Sequence, residues 1–121
     1  MFPTIIRRIK LFCPDSGPFW FDVRTDKDCK ILLFPGQYYP GFHKHEDSNF
    51  HSNEPAHPVL LDQDSGEVIW SAEPKNDRWH FDLKRFNAII GEKITFTHGD
   101  GSQYIYTVEE DDVIFTENTL E

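Results

Sequence analysis

At 121 residues the chain has room for one domain, expected over residues 1–121, and 11 Phe, 4 Tyr and 3 Trp can fill its core. A formal net charge of −9, from 12 Lys and Arg against 21 Asp and Glu, argues against a nonspecific nucleic-acid binder or an anionic-membrane binder, because either needs a cationic face. No apolar run approaches the roughly 20 residues of a bilayer span, Arg7, Arg8 and Lys10 interrupt the first apolar stretch, and two cysteines without a CxxC pair give no disulfide framework, so no membrane segment or signal peptide and a cytoplasmic location are expected.

Short apolar runs separated by turn residues then predict an all-β, mainly antiparallel fold, a small sandwich or partly open barrel with at most one or two short helices. Residues 5–13 read as a first strand, with Ile9, Leu11 and Cys13 on one face. Pro14, Asp15, Ser16, Gly17 and Pro18 turn the chain into a second strand, where Phe19, Phe21 and Val23 alternate with Trp20, Asp22 and Arg24. That alternation places Trp20 on the polar face, as a candidate exposed contact for a partner. Residues 29–34 read as a short buried strand ended by Pro35 and Gly36.

Residues 35–58 hold four of the eight prolines and four of the six histidines, and read as one long polar loop. Its histidines are the strongest chemical signal in the chain. On extended backbone His43 and His45 share a side, so both imidazoles could meet one divalent ion such as zinc or iron, with His51 or a nearby carboxylate completing the shell. His43, Lys44, His45 and Glu46 resemble the opening of a cupin metal motif, but Glu46 follows His45 directly and no distal histidine half-motif appears, so no family is assigned. The same imidazoles would alternatively charge together on mild acidification or remain solvated.

Two hairpins follow. Residues 59–61 and 68–70 flank a turn through Asp62, Asp64, Ser65 and Gly66, and residues 94–98 and 104–108 flank Gly99, Asp100, Gly101 and Ser102. Between them, residues 82–90 form the one candidate helix, capped by Asp82 and stopped at Gly91. Neither cysteine has a visible base beside it, and no serine elbow or phosphate-binding glycine loop occurs.

Residues 109–121 carry six acids and no base. Glu109, Glu110, Asp111 and Asp112 follow a strong strand, and residues 113–115 can add a last one. As a partner surface these four acids would steer a basic protein. The function expected on these grounds is a small acidic protein-binding module of inhibitor or immunity type, with no required cofactor. The alternatives are a cupin-like metal-dependent β-barrel enzyme using the histidine cluster and a carbohydrate-binding domain. Nothing in the sequence specifies an oligomeric state.

Overall fold

The structure is a computed structural model that describes residues 4–44, 55–70 and 79–117. Eight antiparallel strands form one sheet: β1 (Thr4–Cys13), β2 (Ser16–Thr25), β3 (Tyr38–His43), β4 (His57–Asp62), β5 (Val68–Trp70), β6 (His80–Phe81), β7 (Lys93–Thr97) and β8 (Gln103–Glu117). The spatial order is β5-β4-β3-β2-β1-β8-β7-β6, so the first and last strands lie side by side at its centre. No helix occurs among the described residues, and none is long and apolar enough to cross a membrane.

The sheet curls until its two ends nearly meet. Val68 N–H donates to the Trp79 carbonyl and Phe81 N–H to the Gly66 carbonyl, both at 2.8 Å, while Glu67 bridges to His80. Gly66 makes this seam possible, because its φ is +77° and a Cβ there would lie 1.9 Å from the Phe81 carbonyl oxygen. Gly41 has a similar role on β3. A Cβ at that position would sit 2.3 Å from the Phe21 ring of the neighbouring strand.

Period-two alternation turns one side chain in two toward the barrel interior. Ile9, Leu11 and Cys13 from β1, Phe19, Phe21 and Val23 from β2, and Ile94, Phe96, Tyr106 and Val108 from β7 and β8 are all buried. The interior is a packed aromatic core. Phe81 and Phe96 have ring centroids 4.3 Å apart, and Phe19 stacks on Phe21 at 5.6 Å. Such pairs contribute roughly 0.5–1.5 kcal/mol each beyond the area they bury.

Three expectations are corrected. Residues 82–90 are not a helix: Arg85 has a φ of +59°, Phe86 N–H closes a turn on the Leu83 carbonyl, and Ala88 N–H reaches the Cys29 carbonyl at 2.8 Å. Burial of Leu83, Phe86 and Ala88 is better served by pairing this segment with residues 29–31 across one end of the barrel. Those residues in turn make isolated bridges at Lys30 and Ile31 rather than the expected strand. The supposed loop at 35–58 also divides, since Tyr38–His43 is β3, paired with both β2 and β4.

Candidate functional site

The longest strands, β1, β2 and β8, run past the rest of the barrel on one side. Their register sets out three rows of outward side chains: Trp20, Lys10 and Glu110; Asp22, Arg8 and Asp112; Arg24, Ile6 and Phe115. Side chains directly opposite in an antiparallel pair lie on the same face, so each row is a line of neighbours. Arg8 reaches Asp22 through two parallel bonds, Nε to Oδ1 at 2.8 Å and Nη2 to Oδ2 at 2.9 Å. That carboxylate raises the Arg8 pKa above its ordinary value, by hydrogen bonding and charge attraction, with Asp112 adding to the attraction. Lys10 Nζ lies 3.2 Å from Glu109 and 3.8 Å from Glu110.

The inward row holds a further pair. Arg7 Nη1 donates to Asp111 Oδ2 at 2.8 Å and Arg7 Nε to the Thr25 hydroxyl at 2.9 Å. Glu109, Glu110, Asp111 and Asp112 therefore stand inside a strand with their bases opposite. They are not carried on a solvated tail. The outward rows set Asp22, Glu110 and Asp112 among Arg8, Lys10 and Arg24, Glu109 adds a further carboxylate at the bulge beside Lys10, and Arg7 and Asp111 pair on the inward side.

Next to the acids lies an apolar strip that sequence inspection does not reveal. Phe115 is 55%, Phe34 50% and Tyr38 48% exposed. Ile6 opposes Phe115 and, with Phe34 and Tyr38, lines a groove of about 340 Å³. Phe34 N–H donates to the buried Gln63 side chain at 2.9 Å, and Gln63 N–H to the Gln37 carbonyl at 3.0 Å, so the loop that presents Phe34 is tied to the turn after β4. The only forward signal was Val113, Ile114 and Phe115 following four acids, a short run with no polar alternation.

Trp20 requires correction. It points outward as the alternation requires, yet it is only 2% exposed. Lys10 Nζ and Lys44 Nζ each lie 5.6 Å from the ring centroid, and their stems, with Phe42 opposite on β3, cover the indole. It is a support for the lysines and not an exposed contact. His43 turns inward at the far end of β3, 4.5 Å from Phe19 and 5.1 Å from Trp70 by ring centroids. His45 and His51 lie outside the described residues. Among the described residues no three His, Cys, Asp or Glu side chains converge to hold a metal ion.

One ring cluster escaped sequence inspection because its members come from distant segments. From His43 a line of contacts runs through Trp70, Trp79 at 5.5 Å and His98 at 4.7 Å to Tyr104 at 4.6 Å. It closes the barrel end opposite the apolar strip as packing. Neither protein-family models, curated protein sequences nor solved structures give a match to this chain.

Proposed function

We propose that this protein is a small acidic binding module that engages a basic protein partner, in the manner of an inhibitor or immunity protein, through the outward face of β1, β2 and β8. The observation that carries this reading is the strip of exposed Phe34, Tyr38 and Phe115 with half-buried Ile6, bordered by the row of Asp22, Arg8 and Asp112, with Glu110 one row further on. Exposed apolar surface with charged residues at its edge is the make-up of an interface whose centre is dry, and the carboxylates on the β8 side favour a basic partner there. Because the acids are held in a strand, little side-chain order would have to be gained on binding.

The test is kinetic and uses a basic partner captured with the full chain and then purified. Replacing Glu110 with Gln and Asp112 with Asn is expected to slow association and flatten its salt dependence, whereas Phe115→Ser is expected to speed dissociation. Capture that neither set of substitutions alters, at any salt concentration, would place the contact elsewhere and remove this reading.

A further inference from the structure

We propose that the partner docks by adding a strand to the free edge of β8 between Glu110 and Thr116, and that the docking element is an extended segment in which basic and apolar residues alternate. The inference rests on the basic-partner reading and specifies how that partner is held.

β7 covers β8 only from Gln103 to Thr107. Gly91 and Glu92 extend the cover by one residue, through Gly91 N–H to the Val108 carbonyl at 2.8 Å and Val108 N–H to the Glu92 carbonyl at 2.9 Å. From Glu109 onward β8 pairs with β1 on one side, and its other edge has no strand beside it among the described residues. Proteins usually blunt such an edge with charged residues, lysine above all, with proline, with bulges or by keeping the strand short, and here the protection is two bulges and four acids, which a basic strand would meet favourably. Residues 109–117 contain no lysine and no proline, and Val113, Ile114 and Phe115 stand exposed there. Two bulges, at Glu109 and Ile114, leave residues 110–113 in unbroken register with β1. A new ladder would start on that run.

Charge chooses the occupant. A symmetric antiparallel pairing of two copies centred on Asp111 sets Asp111 against Asp111 and Glu110 against Asp112, and one centred on Asp112 sets Asp112 against Asp112. Like charges directly opposite are destabilising, and each copy carries a net −9. A foreign strand avoids both penalties if it places Lys or Arg beside the outward Glu110 and Asp112 and an apolar residue beside Val113. Those positions alternate along β8, so the complementary segment alternates as well.

The probe is an eight-residue peptide of alternating Lys and Val, offered to the full chain together with two N-methylated forms. One form is methylated on every Lys amide and the other on every Val amide, and a scrambled-geometry control alternates Lys with Gly. Only one set of peptide amides can face β8. Strand addition is therefore expected to weaken one methylated form by about tenfold or more, through the ladder bonds it cannot make, while the other binds like the parent. The parent should also slow hydrogen exchange at alternate amides between Glu110 and Thr116. Equal binding by both methylated forms, with exchange unchanged, would overturn strand addition and leave a purely electrostatic contact standing. Failure of every basic peptide, the Gly-containing control included, would remove strand addition and the basic-partner reading together.

Discussion

Tyr39 reaches out of β3 into the turn after β2, where its hydroxyl donates to the Leu32 carbonyl and approaches the Arg24 carbonyl at 3.3 Å. Burial pushes this phenol up to about 12 from an ordinary value of 10.0, because the phenolate would have to form away from water. A folded-state pKa above the unfolded one means that folding holds the proton. Its contribution is complete below pH 10 and is lost as the pH rises toward 12, when the unfolded chain has already released the proton. Urea melts across pH 9–12 should show this decline in the native protein and a shallower one in Tyr39→Phe, which has no proton to lose. Parallel curves would mean that the hydroxyl titrates as if exposed. Trp20 and His43 show how far single residues were legible in the sequence. Alternation gave the correct face for Trp20, but the lysine stems that cover it come from β1 and from the end of β3. His43 sits where extended backbone puts it, yet it meets Phe19, its direct partner across β2 and β3, and Trp70 from β5, and a pairing register between distant segments has no local sequence signature.

Among the elements, the hairpins were the readable part. Their turn residues act over a few positions: Asp62 Oδ1 accepts from Asp64 N–H at 2.8 Å, and Asp100 Oδ1 accepts from Ser102 N–H at 2.8 Å. The Ser102 bonds also hold the exposed Asp100 carboxyl below its ordinary pKa. The segment at 82–90 misled because Asp82, the spacing of Phe86 and Ile89, and Gly91 satisfy the rules for a short helix. Tertiary pairing with residues 29–31 wins over so few turns, since a two-turn helix is marginal without a packed face. The two structures make opposite demands on Arg85. Within a helix, Arg85→Gly would cost about 1 kcal/mol. At a φ of +59° the arginine is strained, so the same change is expected to be neutral or to stabilise by up to about 1 kcal/mol. Equilibrium denaturation decides the sign, and a clear loss would return the segment to the helical reading.

The whole molecule explains why a block of acids can be a strand. Read locally, Glu109, Glu110, Asp111 and Asp112 have poor β-propensity and repel one another, which describes a solvated terminus. What holds them is β1, whose Arg7 meets Asp111 across 104 positions of sequence and whose Lys10 sits between Glu109 and Glu110. No window along the chain contains both halves of that arrangement, so only the uneven distribution of charge was visible. Truncation after Val108 separates the alternatives. If residues 109–121 were a frayed tail, their removal would shift stability by no more than about 0.5 kcal/mol, as surface changes do. In the barrel, the cut strips β1 of its partner from Lys10 back to Thr4 and leaves the buried Arg7 without its carboxylate. A charge buried without its partner costs several kcal/mol, and the lost ladder adds to it, so the truncated chain is expected to lose more than about 3 kcal/mol and to melt at much lower urea. Restoring the segment with Asp111→Asn should recover the ladder but not the full ion pair, and stability between the two would assign separate shares to backbone pairing and to charge.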